Sequence, residues 1–446
     1  MNIRDFKERL FTEGTKAGFT DMEIFVSNSS NFRLQVFNKE VDNYSLSQIR
    51  GISFRGIYNG KMGYAYTEIA DDESITFLIE NAKANAEITG STDDIPIYEG
   101  SPSYPEVIAY NEDLNNISVE EKMQFTFDLE AEALKLDPRV KTVNYCIYSD
   151  GEGEIYIANT KGLEQSFRSN MAYCYVSVVV QEGDSIKTGG RLAVGNNWSK
   201  FNAAALAKEA VEEGLSLLDA ESIESGKYPI VLRYDVAADI LGTFCDVFSA
   251  ESVQKGLSLL EGKLEEKIAA DIVTLLDDPL LENGIASQPF DAEGVASKTK
   301  AVISDGVLKT FLHNLKTAKK DGVESTGNAY KGIKSPIGIS PTNFYIQAGD
   351  KSYQQLLEEM GEGLIIISVQ GLHSGANPVS GDFSLGAYGY YVKDGRIQRP
   401  VDQITIAGNF FDLLKNVVAI GSDLEFDSSG VGSPSLLIKE LAVAGK

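Results

Sequence analysis

An internal duplication in the first half of the sequence constrains the fold more than any other feature. Residues of about 1–90 and 118–218 each show a helical pattern, about four short strand patterns and a second helical pattern, in the same order. Two copies of one supersecondary unit usually pack together and share a core. The duplication therefore predicts one N-terminal α+β domain, residues 1–222, built from two related helix–four-strand–helix units.

Local signals support both copies. In the first, Asn59-Gly60 separates two strand patterns, and this dipeptide favours the positive φ angles of a tight hairpin turn. The second begins at Ser118, which together with Glu121 has the signature of a helix capping box. The connector between the copies is expected at residues 91–107, which are rich in Pro, Ser and acidic residues.

The second half, residues 223–446, changes in character to strands and turns. After a boundary near residues 221–229, hairpin signals stand at Asp305-Gly306 and Asp394-Gly395, and only a few helical patterns interrupt the strands. We therefore expect a mixed, mostly antiparallel sheet or barrel-like C-terminal domain with a few helices. The whole chain then falls in the α+β class.

The charge of the chain narrows the classes of partner. Its 446 residues include 40 basic and 65 acidic side chains, a formal net charge of −25. This balance argues against a surface that neutralises phosphates, so no direct nucleic-acid partner is expected.

No apolar stretch reaches the roughly 18 residues of a membrane span, and the charged N-terminus does not resemble a signal peptide. Three scattered cysteines are typical of a reduced protein, so we expect a cytoplasmic location without membrane association.

The sequence offers few residues for metal or nucleophilic catalysis. Its only two histidines, His313 and His373, are far apart, whereas a zinc site on one helix needs histidines about four residues apart. Ser374 does not stand at the centre of a Gly-x-Ser-x-Gly motif, so a serine nucleophile is not predicted. A metal site made of one histidine and distant carboxylates stays open, as does a structural role for both histidines.

The most informative motif is the glycine-rich segment 369–395. Its glycines fall where strand patterns turn or where another backbone comes close. Asp382, beside Gly381, can hold a turn by accepting hydrogen bonds from the backbone. Such glycines either permit bulges in a curved sheet or expose backbone groups to an extended peptide. The spacing of the residues leaves both interpretations open.

Several long stretches resemble the PmbA/TldE branch of the TldD/TldE family. The resemblance covers nearly all of the chain from residue 228 onward, through stretches such as "LLEGKLEEKIAADIVTLLDDP", "FDAEGVASKTKAVISDGVLKTFL" and "GLIIISVQGLHSGANPVSGDFSLGAYGYYVKDG". The first half matches more diffusely, through "GISFRGIYNGKMGYAYT" and "YIANTKGLEQSFRS". The resemblance implies two subunit types that share a fold and pair as a heterodimeric metalloprotease acting on unfolded or leader peptides.

The same resemblance assigns the chain to one of the two subunit types. TldD subunits bind zinc through a helix with an HExxxH motif and a further ligand late in the chain, and TldE subunits lack the motif. The matching helix here lies within residues 236–253, which contain no histidine, and no cysteine follows Cys245. The resemblance therefore implies a non-metal subunit without a cofactor, and zinc in a TldD-like partner. Catalysis by this chain alone and a homodimer in isolation stay open.

Within the glycine-rich segment we select five candidates for peptide binding, and we assign no catalytic or metal-binding residue. The candidates are Gly371, His373, Asn377, Gly381 and Asp382. They would complete the wall of a peptide chamber and offer a strand edge to the substrate. Two alternatives remain. One is a regulator that binds DNA gyrase or another folded partner without proteolysis. The other is a stand-alone hydrolase whose metal site combines His373 with carboxylates.

Overall fold

A computed structural model describes residues 1–88 and 97–446 of the chain. Residues 91–96 of the expected connector lie outside the described residues. The chain folds into helices and strands in both halves, as expected for the α+β class. The helices are α1 (Ile3–Lys16), α2 (Asp72–Ile88), α3 (Glu112–Asn115), α4 (Val119–Leu136), α5 (Ala203–Ser216), α6 (Tyr234–Phe244), α7 (Ala250–Gln254), α8 (Leu315–Asp321), α9 (Tyr353–Met360), α10 (Leu372–Gly375) and α11 (Phe410–Lys415).

The two predicted N-terminal units contribute to one antiparallel sheet of six strands. The strand order is β3-β2-β1-β4-β5-β6, so the first strands of the two units pair at the centre of the sheet. Side chains such as Ile24 and Phe32 lie on the face that the helices of the two units cover. The strands are β1 (Phe19–Phe37), β2 (Glu40–Tyr58), β3 (Lys61–Thr67), β4 (Val140–Asn159), β5 (Glu164–Glu182) and β6 (Ser185–Gly195).

Each unit contains three long strands instead of the expected four or so. The predicted strands "MEIFVS" and "FRLQVFN" are two parts of β1, and the polar residues Ser27–Asn31 between them remain in the strand. They do so because β2 pairs with them on one side and β4 on the other. The polar stretch Ser149–Glu154 joins two predicted strands into β4 in the same way. Pairing on both sides outweighs the low strand propensity of Ser, Asn and Gly.

The local signals in the sequence are confirmed. The hydroxyl of Ser118 accepts a hydrogen bond from the backbone of Glu121, and the Glu121 carboxylate accepts one in return. Asn59 and Gly60 adopt φ angles of 50° and 74° between β2 and β3. The turn at Asp305-Gly306 joins β9 (Lys300–Ser304) to β10 (Val307–Leu308). The turn at Asp394-Gly395 joins β15 (Asp382–Lys393) to β16 (Arg396–Asn409).

The second half contains two larger sheets, most of whose strand pairs are antiparallel. One has the order β16-β15-β14-β7-β20-β17, and a further pairing of β16 with β20 closes it into a barrel-like form. The other has the order β10-β9-β8-β13-β19-β18. The remaining strands are β7 (Gly226–Leu232), β8 (Leu275–Asp277), β11 (Ala329–Tyr330), β12 (Gly338–Ile339), β13 (Phe344–Ile346), β14 (Gly363–Gln370), β17 (Val417–Ile420), β18 (Glu425–Phe426), β19 (Val431–Ser433) and β20 (Leu436–Ala444).

The face of the N-terminal sheet that the helices leave uncovered packs partly against the C-terminal half. Phe25 of β1 and Ile157 of β4 form a small buried cluster with Phe290. The hydroxyl of Tyr104 donates a hydrogen bond of 2.8 Å to the carbonyl oxygen of Gly294. These contacts fix the two halves against each other. Among the described residues, no helix has the length and apolar character needed to cross a membrane.

Candidate functional site

Two adjoining cavities lie where the second N-terminal unit meets helix α6. Their volumes are about 400 and 650 Å³, within the usual range of about 300–1,000 Å³ for ligand pockets. Both are lined by Gly190 and Leu192 of β6 and by the start of α6. This is the helix that the sequence analysis matches to the zinc-binding helix of TldD subunits. We take these two cavities together as the candidate functional site and call them the α6 cavity.

The position of α6 follows from the two parallel strands behind it. β7 and β14 run side by side in parallel and end at the same edge of the barrel-like sheet. Arg233 follows β7, and its backbone N–H donates to the carbonyl oxygen of Ile366 at 3.0 Å. Its Nη2 donates to the carbonyl oxygen of Ile367 at 2.9 Å. The carboxyl edge of parallel strands is a common place for a binding site, and here it carries the first turn of α6.

The side chain of Arg233 connects α6, α5 and the end of β14 through hydrogen bonds. Its guanidinium donates two hydrogen bonds to Asp235, of 2.8 and 2.6 Å, and one of 2.5 Å to Glu213 on α5. Burial by itself lowers the pKa of Arg233, but the hydrogen bonds and charges of these two carboxylates outweigh it and raise the pKa. The cation is therefore permanent, and it holds the Asp235 carboxylate in a fixed orientation at the start of α6.

Asp239 lies one helical turn after Asp235 and faces the same cavity. Burial by the surrounding protein raises the pKa of Asp239 to about 6, and the negative charges of Asp235 and Asp427 add to the effect. The side chain is nevertheless exposed to solvent within the cavity, and solvent screening reduces such a shift. A carboxyl group that titrates closer to neutral pH can donate or accept a hydrogen bond at the cavity wall.

The residues at α6 do not fit a zinc ion. Zinc sites in proteins combine any carboxylate ligand with imidazole or thiolate ligands, but α6 presents only two carboxyl groups, that of Asp235, already held by Arg233, and that of Asp239. Cys245 follows the helix, and burial raises the pKa of its thiol to about 12, so it is protonated at neutral pH. In residues 1–88 and 97–446, no group of three or more His, Cys, Asp or Glu side chains is arranged to hold a metal ion.

Neither histidine contributes to the α6 cavity. His313 is buried just before α8, and burial lowers the pKa of its imidazole. Its backbone N–H donates to the hydroxyl of Thr326 at 2.6 Å. His373 lies on α10 and is exposed. The two histidines are therefore held in separate environments.

The five residues selected from the sequence lie close together between β14 and the start of β15. Gly371, His373, Asn377 and Gly381 are in the connecting loop, and Asp382 is the first residue of β15. Gly371 and Gly381 adopt φ angles of 87° and 81°, which favour glycine. The side-chain oxygen of Asn377 accepts hydrogen bonds from the backbone inside the loop. Asp382 accepts one of 2.9 Å from Asn409, which helps to lower the pKa of Asp382. His373, Asn377 and Asp382 are exposed.

None of the five lines the α6 cavity, although their loop adjoins it. The loop continues directly from β14, whose Ile367 and Ser368 do line the cavity, and α10 within the loop contacts α6. Asn377 and Asp382 use their side chains to shape the loop. Peptide binding by these residues stays a prediction.

Several polar residues that line the cavity were not predicted from the sequence. They include Arg233, Asp235, Asp239 and Glu213, with Arg191 of β6 beyond them. Arg191 donates a hydrogen bond to the hydroxyl of Tyr234. The spacing of Asp235 and Asp239, one helical turn apart just after a strand, was a usable signal. The partners on α5 and β6 have no signal in sequence, because only the packing of the two halves brings them to α6.

Comparison with known protein families matches three successive segments of the chain. Residues 22–86 match domain 1 of the PmbA/TldA metallopeptidases, residues 112–218 match their central domain, and residues 225–445 match their C-terminal domain. A protein named metalloprotease from Archaeoglobus fulgidus is 30% identical over 425 residues, which cover 94% of this chain and 95% of that protein. Metalloprotease PmbA from Escherichia coli O157:H7 is 26% identical over 431 residues, covering 95% and 92% of the two chains.

Two solved structures have the same fold along their whole length. A Thermotoga maritima protein, described as a candidate modulator of a DNA gyrase, superposes with a TM-score of 0.93 at 35% identity and covers 99% of this chain and 100% of its own. TldE from Thermococcus kodakarensis superposes with a TM-score of 0.89 at 23% identity, with the same coverage of 99% and 100%.

Proposed function

Because the chain belongs to the PmbA/TldD family of metallopeptidases, we propose that it is the non-metal subunit of a heterodimeric zinc peptidase. A TldD-like subunit would provide the zinc ion and the catalytic groups. This chain would complete the wall of a chamber in which unfolded or leader peptides are hydrolysed.

The observation that carries the proposal is the set of side chains on α6. This helix faces the cavity with Asp235 and Asp239, and Arg233 holds the first of them through hydrogen bonds of 2.8 and 2.6 Å. A carboxylate held by an arginine serves to shape a wall and to orient hydrogen-bond partners, and it is poorly available to a metal ion. A subunit of this kind needs a partner to supply the catalytic metal.

The surroundings of α6 also support contact with a peptide. The larger cavity, of about 650 Å³, is lined by Tyr145, Tyr175 and Tyr388 as well as by polar side chains, a combination suited to the apolar and polar parts of a peptide. The adjoining loop holds Gly371, His373, Asn377 and Gly381, with Asp382 directly after it, and its exposed groups are available to an extended segment. We propose that the loop borders the path by which a peptide reaches the cavity.

The proposal is tested by measuring hydrolysis of an unstructured peptide. The assay compares this chain alone, a TldD-like subunit alone, and both together with zinc. We expect hydrolysis by the mixture, no hydrolysis by this chain alone, and loss of activity when a chelator is added. Hydrolysis by this chain alone, in material free of any TldD-like protein, would contradict the proposal.

The contribution of the wall is tested separately with variants in the mixture. We expect Asp239→Asn and His373→Ala to raise the KM for the peptide, because both side chains lie at or beside the proposed path. Lys255→Ala is the matched control, since Lys255 pairs with Glu251 on an exposed surface away from the cavity. If all three variants show the same kinetics, neither the cavity nor the loop lies on the proposed path of the peptide. The subunit assignment is then decided by the first test alone.

A further inference from the structure

The two arginines on the wall of the α6 cavity are already paired with carboxylates. Arg233 pairs with Asp235 at 2.6 Å and with Glu213 at 2.5 Å. Arg191 pairs with Glu209 at 2.6 Å. Their positive charges are therefore compensated, and they are not available to the other acidic side chains of the wall.

Three further carboxylates of the wall have no cationic partner. Asp239, Glu425 and Asp427 line the smaller cavity, and none of them forms an ion pair with any residue that the structure describes. Asp427 accepts hydrogen bonds from the backbone N–H and the hydroxyl of Ser429, which hold its side chain in place without neutralising its charge. Lys200, the remaining basic residue of the wall, is exposed. The wall thus carries an excess of negative charge.

Asp239 is the carboxylate with the fewest interactions. It lines both cavities, and within the described part of the chain no donor forms a hydrogen bond with its carboxylate. Burial raises its pKa, and the charges of Asp235 and Asp427 add to the effect. A positive charge brought in by a ligand would offset both the repulsion and the loss of hydration.

The wall of the larger cavity also contains an acceptor without a donor. The side-chain oxygen of Asn144 is buried, and no described residue donates a hydrogen bond to it. A buried acceptor left unpaired lowers stability, so this oxygen calls for a donor from a ligand. Ammonium and guanidinium groups carry donors only.

The aromatic part of the cavity indicates which kind of cation fits. Tyr145, Tyr175 and Tyr388 line the larger cavity, and Asp239 stands where this cavity adjoins the smaller one. Tyrosine rings attract cations at their faces and pack against methylene groups. Lysine and arginine have a methylene stem that ends in a charged group, whereas the amino terminus of a peptide has no stem. An aromatic wall that leads to an unpaired carboxylate therefore suits a basic side chain.

We propose that the α6 cavity binds a basic side chain of the peptide substrate, a lysine or an arginine, with its charged group beside Asp239. The inference rests on the proposed role of this cavity in peptide binding and adds the class of side chain that it selects. Neutral and acidic side chains bind more weakly, because they leave Asp239 without a partner.

Binding of labelled peptides to the full-length chain alone tests this selection. Four acetylated, unstructured peptides carry the same dye and differ only in a central Lys, Arg, Met or Glu. Fluorescence anisotropy gives their dissociation constants. We expect the Lys and Arg peptides to bind about tenfold more tightly than the Met peptide, and the Glu peptide to bind most weakly. A Met peptide with a free amino terminus should bind no more tightly than its acetylated form.

Variants of the wall test the position of the cation. Asp239→Asn should lose most of the preference for the Lys peptide over the Met peptide, and Asp239→Lys should prefer the Glu peptide. Glu425→Gln, a change in a second unpaired carboxylate, should lose a smaller part of the preference. Asp113→Asn removes the same charge from an exposed position on α3 that lines neither cavity, and it should keep the wild-type preference.

The proposal is overturned if none of the peptides binds, or if the Met peptide binds as tightly as the Lys and Arg peptides. It is also overturned if a free amino terminus, and not the side chain, raises the affinity, or if Asp239→Asn keeps the full preference. These outcomes are independent of hydrolysis by a mixture with a TldD-like subunit, so failure of the selection and failure of the subunit assignment are distinguishable.

Discussion

Arg55 and Glu23 form a two-pronged ion pair inside the protein. The two residues stand directly opposite each other on β2 and β1. Arg55 Nε donates to Glu23 Oε1 at 2.7 Å and Arg55 Nη2 to Glu23 Oε2 at 3.1 Å, with exposed fractions of 0% and 1% for the two residues. Burial alone lowers the pKa of Arg55, but the charge of Glu23 and the hydrogen bonds to it outweigh this and raise the pKa.

Removing one partner of this pair should destabilise the fold strongly. Arg55→Met leaves the Glu23 carboxylate buried without its cation, and such a loss costs about 3–5 kcal/mol. The free energy of unfolding in urea measures the effect. Arg9→Met is the matched control, because Arg9 pairs with Asp72 while their side chains are 53% and 65% exposed. The control should lose less than about 1 kcal/mol, and equal losses would contradict the prediction.

A second buried carboxyl group gives the stability a pH dependence. Burial, with the negative charge of Asp291, raises the pKa of Glu293 from an ordinary value of 4.5 to about 7, against the opposing effect of Arg55. The folded chain therefore binds more protons than the unfolded chain between these pH values. The contribution of Glu293 to the free energy of unfolding falls as the pH rises from about 4.5 to about 7.

Glu293→Gln should flatten this dependence. The amide cannot titrate, and its oxygen can still accept the hydrogen bond from the backbone of Leu315. Urea unfolding at several pH values between 5 and 7 checks the slope. Part of the slope will remain, because burial also raises the pKa of Asp291. Glu265→Gln, on the surface in a pair with Lys309, should leave the slope as in the wild type. An unchanged slope in Glu293→Gln would show that this carboxyl group is not its source.

The glycine-rich strand β15 offers a matched pair of substitutions. A Cβ atom added at Gly389 would lie 1.8 Å from the carbonyl oxygen of Ile365, whereas one at Gly386 would have its nearest contact at 3.8 Å, with Gln370. Gly389 stands at a register shift between β14 and β15, where the two backbones come close. We expect Gly389→Ala to lower the free energy of unfolding by about 1–3 kcal/mol, the usual cost of overpacking. Gly386→Ala should be nearly neutral, and a similar loss at both positions would refute the steric explanation.

Asp239 should respond to pH through its carboxylate neighbours. Its pKa is raised by burial and by the charges of Asp235 and Asp427, so ionisation of Asp239 weakens the folded state as the pH rises above the ordinary value. Asp239→Asn should therefore raise the melting temperature more at pH 7 than at pH 4. Asp271→Asn, exposed in a pair with Lys267, is the control and should not show this pattern. The same gain at both pH values would mean that repulsion between the carboxylates is not the cause.

Local signals in the sequence predicted local structure well. The capping box at Ser118 and the hairpin turn at Asn59-Gly60 depend on residues within a few positions of one another, and both form as expected. The strand count was wrong where a polar stretch such as Ser27–Asn31 interrupts the apolar alternation. Those residues are held in β1 by strands on both sides, and that pairing has no local signature.

The candidate site was harder to predict from the sequence, because the contacts that build it also lack a local signature. Helix α6 could be predicted from its buried face, which includes Val236 and Phe244. Arg233 could not be linked to Glu213 on α5, because nothing in the intervening sequence indicates that the two side chains meet. The five selected residues are close in sequence and therefore came together as a group. The sequence pattern could not tell whether their side chains face a cavity or shape the loop.

The central pairing of β1 with β4 makes the covalent link between the two N-terminal units dispensable for holding them together. Hydrogen bonds join the two strands from Glu23 to Gln35 on one side and from Ile147 to Asn159 on the other, and the first unit also contacts the C-terminal half through Phe25 and Phe290. If a protease nicked the backbone between α2 and α3, the N-terminal fragment would stay bound as a non-covalent partner of the rest. Two fragments of this chain, divided there and expressed from separate genes, should therefore reassemble by fragment complementation.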